Sequence, residues 1–151
     1  MSTPIYQKKI ANSYKHSSLE TASPGHLILM LYDGALRFMD QAIKGFNIKS
    51  KRTSYEEINN NIIKAIAIIA ELRASLNHEI GGEFSITMSN LYDYMEGQLS
   101  LGNVKKEVSL VEEARKHLQE IRDSWAEMIL KNGENNLTKS YNFNQNKRKC
   151  F

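Results

Sequence analysis

Few residues in this 151-residue chain combine the types and the spacing that catalysis or metal binding requires. The histidines are His16, His26, His78 and His117. None of them completes a Glu-x-x-His motif, so the ligand pattern of a di-iron helical bundle is absent. The only cysteine, Cys150, cannot form an internal disulfide or a paired-cysteine metal site. The sequence therefore predicts no metal site and no cofactor.

The acidic residues offer no catalytic arrangement either. Asp33 and Asp93 each follow a tyrosine, but they lie in different predicted helices without a neighbouring base or nucleophile. Glu113 and His117 are four residues apart, a spacing typical of a solvated pair on one helix face. We therefore expect a protein that is not an enzyme.

The net charge of +3 comes from the last part of the chain. Residues 1–131 contain 16 basic and 16 acidic residues, whereas residues 132–151 contain four basic residues and one acidic residue. A neutral body is a poor platform for nucleic acid. The longest apolar run is six residues, and the first 20 residues lack the apolar stretch of a signal peptide. We expect a cytosolic protein that does not insert into a membrane.

The hydrophobic periodicity predicts helices throughout. The predicted segments are 5–15, 24–46, 54–80, 83–101 and 104–131. Ser23 and Pro24 form a start signal for the second segment. Ser54 and Glu57 are spaced as a capping box for the third segment, and Thr53 with Glu56 is the competing register. Gly81-Gly82 is expected to stop that third helix.

Long helices with short connections indicate an all-α, antiparallel up-and-down four-helix bundle with a short N-terminal capping helix. The predicted organisation is a capping segment at 1–20, the bundle at 21–131, and a polar tail at 132–151 that we expect to be disordered in isolation.

The helical wheels show unequal apolar faces. The last two predicted helices have one apolar stripe each. In the helix predicted at 83–101 the stripe consists of Phe84, Met88, Leu91, Tyr92, Met95 and Leu99. In the helix predicted at 104–131 it consists of Val104, Val108, Val111, Leu118, Ile121, Trp125 and Met128. The other two have a core stripe, predicted at Leu27, Leu31, Ala35, Phe38 and Ala42, and at Ile58, Ile62, Ile66, Ile69, Leu72 and Leu76. Each also carries a second stripe, formed by Leu29, Tyr32, Leu36 and Ile43, and by Ile63, Ala67, Ala70 and Ala74.

The second stripes must be covered, because one bundle seam cannot bury both faces of a helix. Three explanations of how the second stripes are covered remain open: they form a groove for a partner, they form a homodimer interface, or each helix is wrapped by its neighbours on three sides. The alanines form a shallow trough that the N-terminal helix, with Ile10 and Tyr14, could fill. Burial of about four apolar side chains, at roughly 1.5–3 kcal/mol each, nearly cancels the cost of ordering the segment, about 1–2 kcal/mol per residue. Such a lid would be easily displaced.

Two sequence blocks carry a family resemblance. The first is Thr21-Ala22-Ser23-Pro24 followed by Leu31-Tyr32-Asp33-Gly34, and the second is Gly81-Gly82-Glu83 followed by Asn90-Leu91-Tyr92-Asp93-Tyr94-Met95 and Leu99. With Tyr14 and Trp125, these blocks resemble the FliS family of flagellar secretion chaperones. The resemblance covers about residues 5–130.

The resemblance implies a four-helix bundle that binds the disordered C-terminal segment of flagellin, prevents its premature polymerisation and supports type III export through the flagellar export apparatus. It places Ile10 and Tyr14 in a capping segment that influences partner binding. Asp33 and Asp93 are left with two alternatives, a bond across helices or a contact with the partner. The rival interpretation is a homodimeric structural or regulatory bundle with another export protein as its partner.

Overall fold

The computed structural model describes residues 23–48 and 50–149, without the side chains of residue 51 and of residues 134–149. It contains four helices, which are α1 (Pro24–Gly45), α2 (Lys51–Ala74), α3 (His78–Lys105) and α4 (Val108–Lys149). Within these ranges no helix has both the length and the apolar character needed to cross a membrane. The predicted capping helix at 5–15 lies outside the described residues, as do Ile10 and Tyr14.

The helices form a closed ring of neighbours. α1 packs on α2 and α4, and α3 packs on the same two helices. The connections after Gly45, Ala74 and Lys105 are short, and short connections make sequential helices antiparallel neighbours. The prediction of an all-α four-helix bundle is confirmed.

The start of α1 is built as predicted. Ser23 has the extended backbone of an N-cap residue, and its hydroxyl accepts a hydrogen bond from the His26 amide at 3.3 Å. Pro24 occupies the first helical position, where no amide donor is needed. The Trp125 indole Nε1 donates to the Gly25 carbonyl at 2.9 Å, which ties this end of α1 to α4.

The boundary between α2 and α3 differs from the prediction. α2 ends at Ala74 instead of residue 80, because polar side chains satisfy the backbone here. The Ser75 hydroxyl donates to the Leu72 carbonyl at 2.6 Å, and the Asn77 side chain caps α3 by accepting from the Glu79 and Ile80 amides. The glycine pair lies inside α3, which kinks at Gly82 (φ 52°, ψ −127°).

Four other predicted helix ends are also wrong. α4 begins at Val108 and not at Val104, which belongs to α3 and is 82% exposed. α2 begins at Lys51, so Ser54 is a buried residue within the helix and not its cap. α3 passes through Gly102, where the absent side chain permits close packing: an added Cβ would lie 3.1 Å from Val111 Cγ2. α4 continues through Gly133 to Lys149, since one glycine costs an exposed helix only about 1 kcal/mol relative to alanine. The division of the chain at 20 and 131 stays a prediction.

The core lies on the bundle axis. Its fully buried apolar members are Tyr32, Ala35, Leu36, Met39 and Ala42 of α1; Ile58, Ile62, Ala65, Ile69 and Leu72 of α2; Tyr92, Met95 and Leu99 of α3; and Val111, Ala114 and Leu118 of α4.

The α2 core stripe is confirmed at Ile58, Ile62, Ile69 and Leu72. The prediction for α1 is partly wrong. Tyr32 and Leu36, predicted in the second stripe, are buried in the core, whereas Leu31 and Phe38, predicted in the core stripe, are only partly buried. A wheel shows which residues share a face but not which face turns towards the neighbouring helices.

Candidate functional site

An apolar cleft of about 660 Å³ opens at one end of the bundle. It lies where the start of α1, the α2–α3 connection, the first half of α3 and the 120–128 segment of α4 meet. Its apolar lining consists of Ile28, Tyr32, Leu76, Ile80, Phe84, Met88, Tyr92, Ile121, Trp125 and Met128. A roomy cleft with so much apolar surface is suited to bind apolar side chains.

Two tyrosines of the cleft lining form a hydrogen bond with each other. The hydroxyls of Tyr32 and Tyr92 are 2.5 Å apart, which joins α1 to α3 across the bundle. Both residues are 2% exposed, and burial raises the pKa of both phenols above 10. Trp125 packs edge-on against Tyr32, with ring centroids 6.5 Å apart. This part of the cleft is therefore uncharged at neutral pH.

Three large apolar side chains of the cleft lining are exposed to solvent. Ile80 is 86% exposed, Phe84 is 65% exposed and Met128 is 41% exposed. Gly82 separates the first two, and its φ of 52° is in the region that favours glycine. The kink sets the first turn of α3, which carries Ile80, apart from the rest of the helix. Large apolar side chains around an apolar opening mark a surface for a partner.

The structure does not bring the predicted site residues together. From α1, Tyr32 lines the cleft, Leu36 lies in the core, and Leu29 and Ile43 are half-buried. From α2, the predicted residues lie on the outer face: Ile63 is 54% exposed, Ala67 and Ala74 are exposed, and Ala70 is half-buried. Whether these residues contact a partner stays a prediction.

Sequence reasoning missed most of the cleft. Phe84, Met88, Trp125 and Met128 were assigned to core stripes, yet they line an open cavity. A signal was present in the sequence: aromatic and methionine side chains are concentrated near the glycine pair and near the end of the bundle. Methionine suits adaptable binding surfaces as well as cores.

The two aspartates of the tyrosine-containing motifs bond across helices. Asp33 Oδ1 accepts from Arg122 Nε at 2.7 Å, linking α1 to α4, and Asp93 Oδ1 accepts from Arg73 Nη1 at 3.2 Å, linking α3 to α2. The hydrogen bond that Arg122 donates to Asp33 raises the pKa of Arg122. The structure thus supplies a structural role for both carboxylates.

Comparison with known proteins points to one family. The model described as "Flagellar protein FliS" matches residues 6–132. The chain is 37% identical over 117 residues to the flagellar secretion chaperone FliS of Bacillus subtilis, which covers 78% of this chain and 84% of the relative. It is 33% identical to FliSB of Pseudomonas aeruginosa over 80% of this chain and 96% of that protein. It is 32% identical to the flagellar secretion chaperone FliS of Salmonella typhimurium, over 80% of this chain and 87% of that protein.

Proposed function

The chain belongs to the FliS family of flagellar secretion chaperones, and from that premise we propose that it binds the disordered C-terminal segment of flagellin in the cytosol. Binding prevents premature polymerisation and presents flagellin to the flagellar type III export apparatus. Its relatives are named as chaperones, so the chain is not an enzyme.

The apolar cleft with its exposed rim is the observation that carries the proposal. A disordered segment that becomes helical on binding can insert one apolar face into such a cleft. Each fully buried apolar side chain contributes about 1.5–3 kcal/mol, whereas ordering each residue costs about 1–2 kcal/mol. A short helix in the cleft alone would bind weakly. The segment must therefore contact further surface, and the outer face of α2 with Ile63, Ala67, Ala70 and Ala74 is our candidate.

The N-terminal segment is proposed to cover the binding surface in the free protein. The chain enters α1 at Ser23, and Gly25 and Ile28 lie beside Trp125 and the cleft. Residues 1–20, with Ile10 and Tyr14, are therefore attached within reach of the apolar rim. Flagellin would displace this segment, and its release would offset part of the ordering cost of the client.

A homodimeric bundle with another export protein as partner is the second candidate. The observation that favours it is Ile63, a large apolar side chain that is 54% exposed on the outer face of α2. Sedimentation of the free chain distinguishes the two candidates, because a dimer built on this face dissociates when Ile63→Glu is introduced.

Calorimetric titration with a flagellin C-terminal peptide of about 40–50 residues tests the proposal. We expect one-to-one binding with a negative heat-capacity change, and tighter binding by a chain that lacks residues 1–16. The variant Ile80→Glu/Met128→Glu should weaken binding at least about tenfold, whereas Met30→Glu, exposed on α1 outside the cleft, should not. Absence of binding by both the full and the shortened chain would refute the proposed client.

A further inference from the structure

The residues just before the kink at Gly82 form a separate turn, 77–81, which we call the hinged turn. Gly82 has φ 52° and ψ −127°, a backbone conformation that glycine adopts without the steric penalty of a Cβ. On its other side, the hinged turn is joined to α2 by Ser75 and Leu76 alone. A turn between a glycine and a two-residue connection has room to change its orientation while the four helices stay in place.

The hinged turn is held together by its own hydrogen bonds. The Asn77 Oδ1 atom accepts from the amides of Glu79 and Ile80. The Asn77 carbonyl accepts from the Gly81 amide at 2.8 Å. Among the side-chain hydrogen bonds of the described residues, one crosses the kink, because the Ser85 hydroxyl donates to the Asn77 carbonyl at 3.0 Å. The hinged turn is therefore a preformed unit with a single side-chain latch.

Ile80 is poorly buried in the observed position of the hinged turn. It belongs to the cleft lining but is 86% exposed. Phe84, Met88 and Tyr92 line the same cleft at steps of four residues, and Ile80 precedes Phe84 by the same step. Residues four apart in a continuous helix form one ridge. With helical φ and ψ at Gly82, Ile80 would therefore extend this ridge by one turn and face the cleft.

Two opposing effects act on the hinged turn. Burial of Ile80 removes apolar surface from water and fills part of a cleft of about 660 Å³, which favours a closed position. The latch hydrogen bond of Ser85 favours the observed, open position. Glycine at position 82 permits both positions, whereas a residue with a Cβ would favour the helical conformation and thus the closed one.

We propose that Gly82 is the hinge of a conformational switch, in which the observed position of the hinged turn leaves the cleft open and a straightened α3 closes it with the Ile80 side chain. The inference goes beyond the proposed function, because the movement belongs to the free chain and requires no flagellin. The accessible volume of the cleft then depends on the conformation of one backbone position.

Distances between spin labels report the position of the hinged turn. In a full-length Cys150→Ser chain, labels are attached at Glu79→Cys, on the hinged turn, and at Lys116→Cys, on α4. Both residues are exposed and lie outside the cleft lining. The control pair is Glu83→Cys with Lys116→Cys, because Glu83 is exposed and follows the kink. Double electron–electron resonance gives the distance distribution of each pair, and the first pair should lie mainly at the distance of the open form.

Two substitutions should move part of the first pair to a second, separate distance. Gly82→Ala should raise the ratio of closed to open chains at least about fivefold, because alanine disfavours the positive φ of the open form. Ser85→Ala removes the latch and should raise this ratio about threefold. The matched controls are Gly97→Ala, with nothing within 4 Å of the added Cβ, and Ser100→Ala, at an exposed position of α3. Neither control should change either pair.

A further variant tests whether Ile80 is the side chain that closure buries. Adding Ile80→Ala to Gly82→Ala should lower the ratio of closed to open chains at least about threefold, because less apolar surface is then removed from water. An unchanged ratio in this double variant overturns the inference.

Three other results would overturn the switch. The first is an unchanged distance distribution in both Gly82→Ala and Ser85→Ala. The second is an equal shift of the control pair at Glu83, because the whole of α3 would then be moving. The third is a broad distribution without a second maximum, because the hinged turn would then unfold instead of closing. None of these results bears on flagellin binding, which the calorimetric titration measures separately.

Discussion

The hydroxyl pair of Tyr32 and Tyr92 allows a sharp test of what stabilises the bundle. Replacing either residue with phenylalanine removes the 2.5 Å hydrogen bond between α1 and α3 and leaves the other hydroxyl buried without that partner. The lost hydrogen bond contributes about 0.5–1.5 kcal/mol, and an unsatisfied buried hydroxyl costs about 1–3 kcal/mol. Each single variant should therefore lose about 1–3 kcal/mol of its free energy of unfolding.

The double variant Tyr32→Phe/Tyr92→Phe should lose less than the sum of the two single losses. With both hydroxyls gone, no polar atom of the pair is left without a partner, and replacing both members by apolar groups can be nearly neutral. Urea unfolding followed by the fluorescence of Trp125, the only tryptophan and a neighbour of Tyr32, measures all three variants. Tyr94→Phe, at an exposed position, is the control and should change stability by less than about 0.5 kcal/mol. Strictly additive single losses would refute the reasoning, because coupling is what a shared hydrogen bond produces.

Three further perturbations address the same end of the bundle. Burial raises the pKa of Tyr32 and Tyr92 above the unfolded value of 10.0. Their contribution to stability is therefore complete below pH 10 and is lost as the pH rises further. In urea unfolding above pH 10, the free energy of unfolding of the double phenylalanine variant should fall less steeply with pH than that of the wild type. Gly82→Ala should destabilise the protein by about 1–3 kcal/mol, because alanine is strained at the positive φ of this position. Gly97→Ala should stabilise it by up to about 1 kcal/mol, because Gly97 lies on an exposed helical turn with nothing within 4 Å of the added Cβ. Thermal unfolding of both variants measures this contrast. Trp125→Phe removes the donor to a main-chain carbonyl at the start of α1, so amide exchange in the first turns of α1 should accelerate while α2 is unaffected.

Local signals predicted the features that local chemistry decides. The Ser23-Pro24 start of α1 was predicted because the cap is formed by the hydroxyl of Ser23 and the amide of His26, only three residues apart. The α2 core stripe was predicted because four large aliphatic residues share one narrow face. The glycines were interpreted less well, since Gly82 kinks a helix and Gly102 permits a close helix contact, where a stop had been expected at each.

The candidate site could not be predicted in the same way. Tyr32 lines the cleft because Tyr92, sixty positions away in the sequence, offers its hydroxyl, and Phe84 is exposed because no other described helix covers that part of α3. Asp33 and Asp93 received their partners only when Arg122 and Arg73 were placed on neighbouring helices. Each of these features depends on the relative rotation and position of helices that are distant in sequence.

The amino-acid sequence by itself predicted a bundle of four long helices, and its motifs identified the family. These properties follow from composition, periodicity and short-range capping, which operate within a few residues. Only the tertiary structure decided which helix faces turn inward, where the apolar cleft opens and which buried polar atoms are left without partners. Burial depends on what packs from outside the helix, and that information is not contained in any single segment of the chain.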